Sequence, residues 1–253
     1  TFDLSNEFLG LECINNTSPT YESLAQAYLQ QYERFDAKEF YLDSAFIYLK
    51  NIDLNSKLGL RTYIHYLFLR KDFESIVNKV NQLGLEYFIE DNYVNKDYAN
   101  KDAWTLYRIG DAFVALKLHN NALLFFQQAV YLAPFNLEFR NKYGVSLMNN
   151  NKISFAIDEF EFIINEDSDF VSAYTNLGYA HVLNNYYDQA LFYYDYALRL
   201  NPGHERTLLN KGALLVLKQD YANAFIYINK VLILNSNNQE ANKLLNEIQI
   251  YYN

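Results

Sequence analysis

The chain has 253 residues, a net charge of −9 and a sequence pI near 4.9, with 51% hydrophobic and 17% aromatic residues, ample for a continuous core. The acidic balance, without any basic stripe, argues against nucleic acid as a partner. No apolar run approaches the ~20 residues of a membrane-spanning helix, and the single cysteine, Cys13, excludes an internal disulfide.

Residues 1–19 read as an irregular segment, with Pro19 ahead of the first helix. The start, Thr1-Phe2-Asp3-Leu4, has neither Met nor a basic leader, which points to a processed or shortened chain. A cytoplasmic location is favoured over export after signal removal. Asn15 and Asn16 each open an Asn-x-Ser/Thr match, meaningful only in a glycosylating compartment. Residues 20–83 read as degenerate helical repeats: Tyr41, Ser44 and Tyr48 keep the spacing of one helical stripe, as do Phe73, Ile76, Val80 and Leu83. Residues 84–102 read as a connecting segment, whose polar run from Asp91 to Asp97 suits a long connection or an extra short helix.

From 103 onward the chain repeats. Glycine recurs at Gly110, Gly144, Gly178 and Gly212, and alanine at Ala122, Ala156, Ala190 and Ala224, each step being 34 residues. Two small-residue series on one period mean a tandem array of helical hairpins. With position 1 at 103, 137, 171 and 205, glycine is position 8 and alanine position 20; position 24 holds Phe126, Phe160, Tyr194 and Ile228. The period predicts helix pairs at 103–116/120–132, 137–149/153–165, 171–184/187–199 and 205–218/221–233. Glycine in mid-helix costs up to about 1 kcal/mol against alanine, so four at fixed spacing need a packing reason. Close approach of the two helices beside the alanines supplies it. Asn149-Asn150-Asn151 and Asn184-Asn185 suit the turns, and Pro134 and Pro202 end second helices. Residues 239–253 read as a capping helix, with Leu244, Leu245 and Ile248 on one face and Tyr251-Tyr252 at its end.

The stretch Ala173-Tyr174-Thr175-Asn176-Leu177-Gly178, followed by Ala190, Tyr194, Ala197 and Pro202, resembles the tetratricopeptide repeat, and the resemblance covers 103–238. It implies an all-α right-handed superhelical solenoid of antiparallel hairpins. Two departures stand out. Position 4 lacks the tryptophan the family favours, and position 7 of the last repeat is Lys211, which suggests an edge exposed to water. The resemblance also implies that first helices line a concave groove. The groove residues are then Tyr107, Arg108 and Asp111 from repeat one, Asn141 and Lys142 from repeat two, Thr175, Asn176 and Tyr179 from repeat three, and Arg206 and Asn210 from repeat four. Position 6 becomes a wall of Arg108, Lys142, Asn176 and Asn210. Family members that clamp two carboxylates use positions 5 and 9 of one repeat, 6 of the next, then 2 and 6 of the third. Repeats two to four match that clamp only at Asn176, with Arg206 as a partial substitute.

No enzyme signature appears. The glycines lie inside helices rather than in a phosphate loop, and His65, His119, His181 and His204 have no arranged metal partners. Neither cofactor nor metal is expected. The sequence reads as a non-catalytic scaffold binding another protein, through an extended peptide segment of acidic or carboxylate character. The alternatives are a scaffold domain of a larger enzyme or envelope-assembly protein, and a module that homo-oligomerises through its outer or end surface. The acidic residues 1–102, net −6, could also fold over the cationic wall.

Overall fold

The computed structural model describes residues 20–34, 39–89 and 99–252; the irregular start with Cys13, Asn15 and Asn16, the polar run 91–97 and the Tyr251 and Tyr252 side chains lie outside the described residues. The described residues form helices and no strand. They are α1 (Tyr21–Arg34), α2 (Glu39–Leu49), α3 (Lys57–Leu69), α4 (Phe73–Leu83), the short α5 (Glu86–Ile89), α6 (Ala99–Ala115), α7 (His119–Leu132), α8 (Leu137–Asn149), α9 (Ile153–Glu166), α10 (Val171–Leu183), α11 (Tyr187–Leu200), α12 (Glu205–Leu217), α13 (Tyr221–Leu234) and α14 (Gln239–Tyr252). The chain divides into two compact units, Thr1–Ala133 and Pro134–Asn253, so the boundary falls after the first regular repeat. Within each unit consecutive helices pair: α1 with α2, α3 with α4 and α6 with α7, then α8 with α9, α10 with α11 and α12 with α13, and α14 packs on α13.

The four periodic pairs fall where the 34-residue beat puts them, apart from α6, which begins earlier. Every second helix ends at position 30, at Leu132, Glu166, Leu200 and Leu234. Two of these stops precede Pro134 and Pro202 and two precede Ser168 and Ser236, so proline is not what ends the helix. Each ending is instead closed by the next N–H: Ala133, Asp167, Asn201 and Asn235 donate to Ala129, Ile163, Ala197 and Val231 carbonyls.

One turn serves every periodic hairpin. Lys117, Asn151, Asn185 and Gln219, all at position 15, take left-handed backbone (φ 58–62°). The next N–H then reaches back into the preceding helix, as when Tyr186 donates to the His181 carbonyl at 2.8 Å. Asparagine tolerates this conformation; lysine and glutamine are held in it at a cost of ~1–2 kcal/mol. We therefore expect Gln219→Gly to raise unfolding free energy by about 0.5–1 kcal/mol, and Asn185→Gly by less. Urea titration checks both, and a destabilised Gln219→Gly would show that the side chain carries an interaction outweighing the strain.

The glycines make room for something other than the alanines. A Cβ on Gly178 would lie 2.4 Å from Tyr194 Cε1, and on Gly110, Gly144 and Gly212 it would meet Phe126, Phe160 and Ile228 at 2.6–2.8 Å. Position 8 is thus hollowed for the side chain at position 24, while the position-20 alanines, all 0% exposed, fill the layer beside it.

The same frame explains the N-terminal hairpins. Lys71 repeats the left-handed turn (φ 57°), with Asp72 N–H donating to the Leu67 carbonyl. Counting back from Lys71 places Lys57 at position 1, Ile64 at position 8 and Val80 at position 24. Both Ile64 and Val80 are fully buried. This hairpin thus carries isoleucine where the periodic repeats carry glycine, and valine where three of the four carry an aromatic ring. In α2 the buried stripe is Leu42, Ala45 and Leu49, one residue beyond the expected Tyr41, Ser44 and Tyr48, which stay half-buried.

Lys211 corrects the expected wet edge. Its side chain is buried, and its ammonium group donates to the Asp195 carboxylate and to the Tyr227 hydroxyl. The apolar stem occupies a core position while the charged head reaches polar partners, which is how a lysine can replace leucine there.

Candidate partner-binding site

Three first helices of the N-terminal unit, α1, α3 and α6, line an open cavity of about 380 Å³. Its lining is Gln26, Gln30 and Glu33 from α1, Arg61, Thr62 and His65 from α3, and Trp104, Thr105 and Arg108 from α6. In the repeat frame Arg61 and His65 are positions 5 and 9 of one hairpin, and Trp104 and Arg108 are positions 2 and 6 of the next.

The charges are ordered. Arg61 Nη2 lies 2.5 Å from the fully buried Asp102 carboxylate, which fixes the guanidinium in the wall. His65 Nε2 and Glu33 Oε1 are 2.8 Å apart, and Arg108 Nη2 is 3.6 Å from the same oxygen. The Arg108 guanidinium also faces the Trp104 ring at 5.7 Å. The hydrogen bond with His65 holds the Glu33 carboxyl below its usual range, against the opposing effect of burial. Burial pushes the His65 imidazole below its ordinary value, aided by Arg108 and opposed by Glu33. His65 is therefore the neutral donor to an ionised Glu33 at neutral pH. Glu33 is 45% exposed, so this anion sits at the mouth of the cavity.

The sequence-derived groove residues distribute unevenly. Arg108 lines the cavity. Tyr107 is buried and packs edge-on against Phe126 at 5.9 Å, so it belongs to the core. In the C-terminal unit Thr175 and Asn176 are each 1% exposed, which corrects their reading as open groove residues. Thr175 shares a 2.7 Å hydrogen bond with Thr207, and Asn176 Nδ2 donates to Asn141 Oδ1 at 2.7 Å. Both side chains are short and are covered by the neighbouring first helix. Asp111 and Lys142 are half-buried and engaged in contacts. Tyr179 and Arg206 are exposed and Asn210 half-buried. The expected wall at position 6 divides, Arg108 lying in the N-terminal unit and Lys142, Asn176 and Asn210 in the C-terminal one.

Sequence reasoning missed Gln26, Gln30, Glu33, Arg61, Thr62, His65, Trp104 and Thr105. The stripe Phe73, Ile76, Val80 carried the signal, because extending its frame backwards puts Arg61 and His65 on groove positions. Among the described residues no group of three His, Cys, Asp or Glu could hold a metal, and no helix is long and apolar enough to cross a membrane.

Residues 105–136 and 171–204 each match the tetratricopeptide repeat family. The fold is shared with a thermophilic TPR protein of Thermus thermophilus at a TM-score of 0.55, with 20% identity over 59% of this chain and 82% of that one. The chain is a tetratricopeptide-repeat protein. Two further solved folds resemble this tetratricopeptide-repeat chain. Pseudomonas aeruginosa pilF aligns at TM-score 0.56, with 19% identity over 90% of this chain and 96% of its own. A chain of the APC/C hetero-tetramer Cut9-Hcn1 aligns at 0.62, with 15% identity over 90% of this chain and 42% of its own. No curated protein matches the sequence. Tetratricopeptide repeats generally serve as protein-interaction scaffolds rather than catalysts, and the fold of this chain is of that kind.

Proposed function

We propose that this tetratricopeptide-repeat chain is a non-catalytic scaffold that holds an extended, acidic segment of a partner protein, anchored by a carboxylate in the cavity of the N-terminal unit. The observation that carries this reading is the convergence of Arg61, His65 and Arg108 on one cavity. They stand at positions 5, 9 and 6, the places from which carboxylate-clamping relatives of the family work. The cavity mouth already holds one carboxylate, that of Glu33, against His65 and Arg108. An incoming carboxylate can replace it, since guanidinium and imidazole donors accept any oxyanion of that geometry. Trp104 adds an aromatic face for an apolar neighbour of the acid.

The test is fluorescence polarisation with a labelled glutamate-rich peptide ending in a free carboxylate. Arg108→Ala should weaken binding by about three- to tenfold, because one charge-assisted contact is lost. Glu33→Gln should strengthen it by a smaller factor by removing the internal competitor. If neither substitution shifts the affinity, the cavity is not the anchoring site. Among the described residues of 1–102, Glu33 of α1 forms an ion pair with Arg108.

A further inference from the structure

Tyr63, Tyr66, Leu67 and Arg70 stand at i, i+3, i+4 and i+7 on α3, so one face of the helix presents them together. It is not the face that carries Arg61, Thr62 and His65 into the cavity described above. Phe46 of α2 and Asp72 of the α3–α4 turn complete the lining of a second open cavity, of about 340 Å³, within the N-terminal unit. The two cavities share no residue. Half of this second lining is aromatic. The Phe46 ring stacks on Tyr66, with centroids 5.6 Å apart and planes 16° from parallel. Tyr66 is 9% exposed and Phe46 42%, so a buried ring holds an open one in place.

A carboxylate sets the charge of this cavity. Arg70, the one cation in the lining, is ion-paired with Glu39 of α2. Asp72 caps α4 by accepting from Ser75 N–H through Oδ1, at 3.1 Å, and makes no ion pair among the described residues. Burial, followed by the Asp72 charge, raises the Tyr63 phenol above its ordinary pKa. Burial also raises Tyr66, with Asp43, Tyr63 and Asp72 adding to it. Both phenols therefore stay neutral. Aromatic faces beside a carboxylate attract a cation twice over, through the ring quadrupole and through charge. The chain supplies its own example, for the Lys50 ammonium lies 4.8 Å from the Phe46 centroid. Since Ser75 engages one oxygen of Asp72, the other suits a compact ammonium better than a two-pronged guanidinium.

We propose that the aromatic cavity between α2 and α3 binds a lysine side chain of a partner protein, with the ammonium drawn to Asp72 and the open Phe46 ring. A basic partner also suits a chain of net charge −9. The site lies apart from the carboxylate-binding cavity and does not depend on it.

The probe is a capped, glycine-flanked lysine peptide. It is titrated into the full chain carrying methyl-labelled leucine, and the NMR signal of Leu67 in the cavity wall is followed. The lysine peptide should shift Leu67 saturably, and the same peptide with norleucine for lysine should not. Phe46→Leu keeps apolar bulk but removes the aromatic face, and should weaken binding about two- to fivefold. Asp72→Asn keeps a good helix cap but removes the charge, and should weaken it about three- to tenfold. Lys50→Gln should tighten it by removing the internal ammonium from the ring. Arg108→Ala should leave the lysine peptide unaffected, so this site and the carboxylate-binding cavity stand or fall separately. Absence of a saturable shift overturns the inference, as does an affinity that neither Phe46→Leu nor Asp72→Asn changes. Tighter binding of an arginine peptide would overturn the choice of lysine. Methylammonium chloride binding as tightly as the peptide would overturn the choice of a protein partner.

Discussion

Gly178→Leu is expected to be the most damaging single substitution in the array, destabilising the chain by about 3 kcal/mol or more. The first added carbon would already sit 2.4 Å from the Tyr194 ring, and three further carbons must follow it into a contact that is fully buried. The flanking Ala173, Leu177 and Ala190 are likewise closed to solvent, so neither helix can yield without disturbing its neighbours. Because α10 also packs on α9 and α11 on α12, the damage should spread beyond one hairpin. Gly203→Leu is the control: a Cβ there meets only the Asn201 side chain, at 3.7 Å. Urea unfolding followed by circular dichroism measures both. Equal midpoints for Gly178→Leu and the parent would remove the packing argument. The pair Gly178→Ala with Tyr194→Val should recover part of the loss, since the ring atoms that a Cβ on Gly178 would meet are then gone.

Asp102→Ala is expected to cost about 3–5 kcal/mol, because it removes one half of an ion pair whose two side chains are nearly closed to solvent. Arg61 is 7% exposed and Asp102 0%, so water reaches the pair poorly and only from the cavity side. Exchanging both partners for apolar residues, Arg61→Met with Asp102→Leu, should cost far less than the single change, since no charge remains to be desolvated. The exposed pair Lys218 and Asp188, 2.7 Å apart, offers the contrast: Asp188→Asn should fall within about 0.5 kcal/mol of the parent. Thermal or chemical unfolding of the three variants decides the matter. A single mutant as stable as the double would mean that Arg61 finds another anion or reaches solvent.

The repeat was legible because its glycines and alanines are spaced by packing alone, and packing leaves its mark on composition. Periodicity fixes which residues share a face, but not what they face. Hence Gly178 was assigned to Ala190, whereas its neighbour is the Tyr194 ring. Position 5 failed for a related reason: Tyr107 and Thr175 lie on the groove side of the helix yet are short or turned enough to be covered by a neighbour. Lys211 misled because a charged head marks a residue as exposed although four methylenes of its stem can stay in the core. The cavity of the N-terminal unit was hidden by the missing glycine at Ile64. This hairpin does not keep the small-residue beat, although its turn at Lys71 is the same as the others.

Glycine facing a ring at Gly178 and Tyr194, and isoleucine with valine at the same two positions in Ile64 and Val80, have a historical consequence. A lineage can cross between the two arrangements in only one order. Enlarging the glycine first forces a side chain through an occupied ring and splays the hairpin. Trimming the ring first opens a hole that the chain survives, and the glycine can then grow into it. Intermediates caught in related arrays should therefore carry small residues on both sides of this contact, and never large ones on both.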